Sequence, residues 1–270
     1  MITSRRSFRL TCAPADEPAV EAMLRAQGYA FEPDPFFAPA RRLTAEPAPL
    51  GTSLAAFFGL IYIQDRASML PPLALNPEPG AAVLDMCASP GSKTGQLAGM
   101  VGAQGLVLGN EPSPSRLATL RRNLMVGGLT GTATCCYPGE TLPLADASAD
   151  LLTNVFSPLS AEEFARVLRP GGTFLYVVPS ARHLWEMKQV LYSQPYENPV
   201  KETPYTGFSY QRIVPVRYEI TLDCPEDIRA LFQMTPYCWK TPREGVEALS
   251  ALKRLTTQVG FDLHVFRRSP

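Results

Sequence analysis

The stretch Ala82-Val83-Leu84-Asp85-Met86-Cys87-Ala88-Ser89-Pro90-Gly91-Ser92-Lys93-Thr94 decides the fold. An apolar run ends in an acid, and a loop of small residues and proline follows. Leu97, Ala98 and Val101 then recur at helical spacing. A parallel strand that hands a loop and a helix N-terminus to a ligand has this pattern.

Outward from that unit, strand-like and helical segments alternate. Strands are expected at 82–85, 106–111, 133–137, 150–156 and 173–178, and two longer ones at 209–222 and 256–266. The first helix spans 92–101. The next starts at Ser113-Pro114 and turns Leu117, Leu120 and Leu124 to the sheet. Ser160 to Glu163 reads as a capping box with Phe164, Val167 and Leu168 inward, and Thr241 to Glu244 as another. Ser180 is expected to cap a helix through Leu184, Met187 and Leu191. Further helices fall at 225–234 and 242–253. The reading is an α/β chain: a seven-stranded, mostly parallel sheet with helices on both faces and an antiparallel strand near its edge.

Upstream, residues 1–75 read as a small α/β accessory region, and 76–270 as the main domain. The boundary is placed at Asn76-Pro77-Glu78-Pro79-Gly80. In the accessory region residues 8–12 suit a strand. Asp16 suits the cap of a helix carrying Val20, Met23 and Leu24, ended by Gly28. The proline-rich 32–50 reads as an irregular connection. The segment 194–206 is polar and long enough to be a lid or binding loop.

Composition narrows the function classes. A hydrophobic fraction of 46% supports a real core, and zero formal net charge disfavours a strongly basic nucleic-acid binder. There is no run of eighteen apolar residues, and the N-terminus lacks a signal-like apolar core, so a cytoplasmic chain with no membrane contact is expected. None of the six cysteines forms a C-x-x-C pair, so neither zinc nor any other metal is expected. Cys135 and Cys136 read as small apolar residues in a buried strand.

The loop has several possible ligands. A P-loop requires G-x-x-x-x-G-K-[ST]; here Ser92 precedes Lys93, and Cys87 takes the place of the first glycine. The dinucleotide pattern G-x-G-x-x-G is absent as well. Glu111 follows Gly91 by twenty residues, at the end of the second strand, where a carboxylate accepts from both ribose hydroxyls of a nucleoside. The bland alternative is that Glu111 only caps the next helix. The loop backbone and Lys93 can meet a carboxylate at the helix N-terminus. S-adenosylmethionine carries both groups, so the expectation is a Rossmann-like, class I methyltransferase fold with that cofactor.

The chain resembles two families. Residues 1–145 resemble the Nop/Sun RNA cytosine-5 methyltransferases through Tyr62-Ile63-Gln64-Asp65-Arg66-Ala67-Ser68-Met69, through Asp85 to Thr94, and through Asn110-Glu111 to Arg116-Leu117 and Arg122-Asn123-Leu124. That resemblance implies that Cys87, Ala88, Ser89, Pro90, Gly91, Ser92 and Lys93 line the methionine end of the cofactor and that Glu111 holds its ribose. Asp85, Arg116, Glu140 and Asn154 complete the expected cofactor set. Residues 146–270 resemble the bacterial 23S rRNA guanine-N1 methyltransferases through Ala161-Glu162-Glu163, Arg166, Pro170-Gly171-Gly172, Arg182-His183-Leu184 and Leu231 to Lys240.

The two resemblances imply different chemistry. Cytosine-5 transfer needs a cysteine thiolate on carbon 6, and that family carries a Pro-Cys element after strand four. Here Leu159 follows Pro158. The expectation therefore favours guanine N1, with cytosine-5 transfer or a non-catalytic cofactor- and RNA-binding hybrid as alternatives. Asn154 and His183 are the catalytic candidates. Asn154 lines the reacting base; His183 is read equally as a base, a phosphate contact or a structural hydrogen-bonder. Tyr237 and Trp239 are candidates to stack on an extruded base, or to be core aromatics. RNA, and rRNA in particular, is the expected partner, with contacts from Arg5, Arg6 and Arg9, Arg41-Arg42, Arg121-Arg122 and Arg267-Arg268. Oligomeric state is not legible.

Overall fold

The structure is a computed structural model that describes residues 6–199 and 205–270. Arg5 of the first basic cluster and residues 200–204 of the polar segment lie outside the described residues. The chain forms two compact units. One holds Met1–Tyr176, Tyr205–Gln211 and Val265–Pro270; the other holds Val177–Pro204 and Arg212–His264.

The first unit opens with β1 (Ser7–Leu10), α1 (Glu17–Ala26), β2 (Ala30–Pro33), β3 (Ala40–Ala45), α2 (Leu54–Phe57) and β4 (Ile61–Ile63). The strands form a four-stranded sheet in the order β2-β3-β1-β4, with antiparallel pairs throughout. Phe8, Leu24, Phe31, Leu43 and Leu50 make its core. The expectation of an irregular 32–50 is corrected, because β3 runs through it. The strand was hidden by an arginine at a buried position: Arg41 is 7% exposed and its Nε donates to Glu21 at 2.6 Å. A paired arginine can occupy a site that patterning reserves for an apolar residue. Asp16 precedes α1 but makes no side-chain capping bond.

Next come α3 (Arg66–Leu75), β5 (Ala82–Asp85), α4 (Ser92–Val101), β6 (Leu106–Asn110), α5 (Pro114–Val126), β7 (Thr132–Cys135), β8 (Ala149–Val155) and α6 (Ala161–Val167). β9 (Leu168–Pro179), α7 (Trp185–Leu191), β10 (Phe208–Leu222), α8 (Pro225–Gln233), α9 (Arg243–Ser250) and β11 (Leu255–Arg268) follow. The larger sheet has seven strands in the order β10-β11-β9-β8-β5-β6-β7. β5 pairs in parallel with β6 and with β8, placing Asp85 level with Gly109 and Thr153. β6 pairs in parallel with β7. Leu117, Leu120 and Leu124 of α5 are buried as expected. Gly109 has a positional reason: a Cβ there would stand 2.8 Å from the Cβ of Ala88, so its absence lets the loop after β5 close over β6.

Both capping boxes are corrected. Ser160 makes no capping bond, and Glu163 instead accepts from the Leu142 N–H and pairs with Arg166. Arg166 and the Leu142 N–H together occupy both oxygens of the carboxylate. Thr241 turns its hydroxyl back to the carbonyl of Tyr237 at 2.8 Å. Cys135 closes β7 and Cys136 is exposed beyond it, so the pair is not a buried strand core.

In the second unit α7 begins at Trp185, after Leu184 at φ 53°, rather than at Ser180. Its core gathers Leu184, Met187, Leu191, Ile228, Phe232, Tyr237 and Leu249. Lys188 is fully buried there. Its Nζ donates to the carbonyl of Tyr196 at 3.0 Å and to Asn198 Oδ1 at 2.8 Å, and Asn198 in turn donates to the carbonyl of Ser180. Lys188→Met therefore leaves two acceptors unpaired and is expected to destabilise the unit by about 2 kcal/mol. Amide hydrogen exchange checks this, with faster exchange at Asn198, whose N–H bonds the carbonyl of Ala181.

Candidate cofactor site

Asp85 ends β5 with its carboxylate fully buried. One oxygen accepts from the Cys87 N–H at 3.1 Å, the other from the Thr94 hydroxyl at 2.8 Å. The acid thus ties the strand end to both limbs of the loop. Burial raises its pKa, and the hydrogen bonds from Thr94 and Cys87 oppose that rise. Gly91 is the N-cap of α4 at φ 113°, a backbone state that disfavours any side chain. It lets the loop turn sharply into the helix.

The four-stranded sheet and its neighbours hold the loop through polar groups whose part in this support the sequence reading did not assign. The Tyr62 hydroxyl donates to the Pro90 carbonyl at 3.3 Å, and Asn123 Nδ2 donates to the same oxygen at 2.7 Å. Arg9 reaches Gln64 Oε1 and the carbonyl of Ser92; burial lowers its pKa to about 10, which leaves it charged at neutral pH. Gln64 bonds Gln96, whose amide donates to the Met69 carbonyl. The one legible signal was Gln96 on the apolar face of a helix. Lys93 donates to Ser68 Oγ at 3.1 Å.

Glu111 stands just past β6 and is 2% exposed. Oε1 accepts from the Ser113 N–H at 3.0 Å, and Oε2 lies 3.3 Å from the exposed Arg116 guanidinium. So Glu111 does bond the start of α5, as the bland alternative required. A carboxylate offers about four acceptor sites, and these contacts use two. Two acceptor sites remain. Ser89 and Arg116 bond each other in both directions, at 2.9 and 3.4 Å, so the loop rests on α5. Glu140 is exposed in the turn after β7, next to Gly139, which lies close to Met86.

Asn154 is fully buried near the end of β8. Its Oδ1 accepts from the Cys87 thiol at 3.2 Å, and its Nδ2 donates to the carbonyls of Ser157 at 3.3 Å and Pro158 at 3.0 Å. The Val155 N–H donates to Cys87 Sγ at 3.4 Å. Burial and the neighbouring Asp85 push the Cys87 thiol up to about 11, so it is neutral at pH 7. Leu159 packs against the sheet core with Phe164 and Phe174.

The first unit therefore gathers Asp85, the 87–93 loop, Glu111, Arg116 and Asn154. His183 belongs to the second unit. Its Nδ1 accepts from the Gly260 N–H at 3.3 Å, and burial, with the charge of Lys188, lowers its pKa to about 4. It is a neutral imidazole at pH 7. Tyr237 is buried among apolar side chains, whereas Trp239 is exposed. Two basic candidates do not face solvent: Arg9 and Arg41 are both buried. Among the described residues no group of three or more His, Cys, Asp or Glu is placed to hold a metal ion, and no helix is long and apolar enough to cross a membrane.

Residues 72–156 match the family described as 16S rRNA methyltransferase RsmB/F. That range holds the loop, Glu111 and Asn154. Over 135 residues the chain is 41% identical to ribosomal RNA small subunit methyltransferase F of Shewanella loihica, covering 48% of this chain and 28% of the relative. Over 208 residues it is 33% identical to the protein of that name from Salmonella paratyphi B, covering 64% of this chain and 43% of the relative. The chain thus spans 28% and 43% of the length of these relatives. A structure of a methyltransferase homolog protein from Pyrococcus horikoshii shares the fold, with a TM-score of 0.62 at 22% identity over 98% of this chain and 86% of that one. The Rossmann-like reading of the sequence is borne out. The guanine-N1 resemblance of residues 146–270 is not supported by these comparisons, which agree with the Nop/Sun resemblance of the first half.

Proposed function

We propose that this chain is an S-adenosylmethionine-dependent RNA methyltransferase of the RsmB/F type, acting on rRNA. The observation that carries the reading is the pair of buried carboxylates at the ends of adjacent parallel strands. Asp85 shapes the loop, and Glu111 keeps two acceptor sites for a ribose, within the segment that matches the family. The residues present fit the cofactor. Glu111 binds the ribose, the loop amides and the start of α4 meet the methionine carboxylate, and Asp85 with Asn154 holds the loop in place. When bound, the cofactor supplies an electrophilic methyl group. The accessory region, residues 1–75, braces the loop through Tyr62 and Gln64 and is proposed to contribute RNA contact as well.

The comparisons favour cytosine carbon 5 over guanine N1 as the acceptor, so the alternative weighed in the sequence is the better supported. A second reading, a cofactor- and RNA-binding protein without methyl transfer, is favoured by one observation. The position after Pro158 is a packed leucine, and the cysteine in the loop is a neutral thiol bonded to Asn154. One experiment separates the readings. The protein is incubated with rRNA and cofactor carrying a labelled methyl, and the product nucleosides are analysed. Label in 5-methylcytidine supports the family's chemistry, label in 1-methylguanosine restores the first expectation, and no label supports the non-catalytic reading. In parallel, rRNA substituted with 5-azacytidine is expected to give no denaturant-stable protein–RNA adduct through Cys87. A trapped adduct lost in Cys87→Ala would assign that thiol as the nucleophile.

A further inference from the structure

Tyr237 and Trp239 read alike in the sequence, and the structure separates them. Both lie on a short 3-10 turn, Pro236–Trp239, in the second unit. Tyr237 is buried in the core of that unit and anchors the turn. Its carbonyl accepts from the Lys240 N–H at 3.0 Å and from the Thr241 hydroxyl at 2.8 Å. Cys238 Sγ donates to the Thr235 carbonyl at 3.1 Å. The turn so fixed leaves Trp239 85% exposed, so its indole adds little to the core.

The indole stands at the rim of a groove of about 550 Å³ formed by this turn, α8 and α9. Buried Ile228, Phe232 and Leu249 give the groove an apolar floor. An apolar floor with a few polar groups at the rim is the make-up of a small-ligand site. Arg229 and Gln233 supply those groups; they are one turn apart on α8 and share a face. Among the described residues the Arg229 guanidinium has no ion pair, the Gln233 carboxamide no hydrogen bond and the Trp239 ring no aromatic or cationic partner. The carboxylates of α8 and α9 are Glu226, Asp227, Glu244 and Glu247, and none of them lines the groove. The charge on its lining is therefore cationic, and it suits an anion that carries a flat apolar body.

We infer that this groove binds one unstacked nucleotide of single-stranded RNA, its base on Trp239, its base edge at Gln233 and its phosphate at Arg229. The inference rests on the proposed reading that the chain acts on RNA. Each group has a matching function. An indole face stacks on any base with little sequence preference. A carboxamide both donates and accepts, as a base edge does. A guanidinium pairs with a phosphate through charge-assisted hydrogen bonds. A wholly apolar partner would cover the guanidinium and the carboxamide without pairing them, a cost that a nucleotide avoids.

The test compares the wild type with Trp239→Ala and Arg229→Gln, using a short, dye-labelled single-stranded RNA of mixed sequence and fluorescence anisotropy. Both side chains lack partners, so both variants are expected to melt with the wild type and to keep its affinity for S-adenosylmethionine. Trp239→Ala is expected to weaken RNA binding by about tenfold. Arg229→Gln is expected to lower the slope of log affinity against log salt by about 0.7, the loss of one phosphate contact on a single strand. RNA is expected to quench the tryptophan fluorescence of the wild type but not of Trp239→Ala, in which Trp185 is the remaining indole. Equal RNA affinity for the wild type and Trp239→Ala overturns the inference, and an unchanged salt slope in Arg229→Gln overturns the assignment of the phosphate. The readout is independent of methyl transfer. If no rRNA is methylated yet Trp239→Ala loses RNA affinity, the groove stands and the catalytic reading falls. If rRNA is methylated and Trp239→Ala binds RNA as the wild type does, the catalytic reading stands and the groove falls.

Discussion

Glu111→Ala is expected to raise the dissociation constant for S-adenosylmethionine by about a hundredfold, measured by isothermal titration calorimetry. The carboxylate is buried and already oriented by the Ser113 N–H, so it loses little freedom when it accepts a diol. Two charge-assisted hydrogen bonds at about 1.5 kcal/mol each sum to roughly 3 kcal/mol, or two decades of affinity. Glu111→Gln keeps the volume and one good acceptor but faces a hydroxyl with an amide N–H. It should fall between the two. The exposed Arg116 guanidinium engages one acceptor site on Oε2, so its pairing leaves the sites for the diol open. A dissociation constant unchanged in Glu111→Ala would leave this residue only its bond to the start of α5, the bland reading of the sequence.

Asp85→Ala should be the most destabilising change in the loop. It strips the acceptor from the Cys87 N–H and from the Thr94 hydroxyl, both at a buried site. At roughly 1–3 kcal/mol for each donor left without a partner, less the relief from no longer burying a carboxyl, the net loss is about 3 kcal/mol. For a chain of this size that lowers Tm by roughly 6–12 °C. Asp85→Asn is expected to be much milder. The Thr94 hydroxyl already lies 3.2 Å from the carbonyl of Ala88. It can turn its proton there and accept from the new amide, while the remaining oxygen keeps the Cys87 N–H. Thermal melts of the two variants check the argument; equal losses would mean that the negative charge, not the hydrogen-bond pattern, holds the loop.

These expectations show which parts of the protein were legible in its residues. The strand at 82–85 and the helix at 92–101 were readable to the residue, because a short apolar run, a glycine at the turn and 3.6-residue spacing are local signals. The place of Glu111 just past β6 was readable because its distance from Gly91 is a property of one strand–helix–strand unit. β3 was not, because the pairing that makes Arg41 tolerable involves Glu17 and Glu21 on a different element. The capping boxes failed for a related reason. Glu163 and Thr241 had the right spacing, but other groups took their hydrogen bonds: the distant Leu142 N–H and Arg166 one turn on for the acid, the Tyr237 carbonyl for the hydroxyl.

The sequence by itself determined the order of strands and helices from residue 82 onward, the acid–loop–helix unit and the second acid, since each depends on neighbours within a few tens of residues. Only the tertiary structure decided what those groups do. Asp85 became a clamp through Thr94, and Cys87 became a neutral thiol because burial and the nearby Asp85 raise its pKa. Gln64 and Gln96 became a brace because two distant segments meet. Hydrogen bonds and desolvation act between groups close in space, and sequence spacing does not report that proximity.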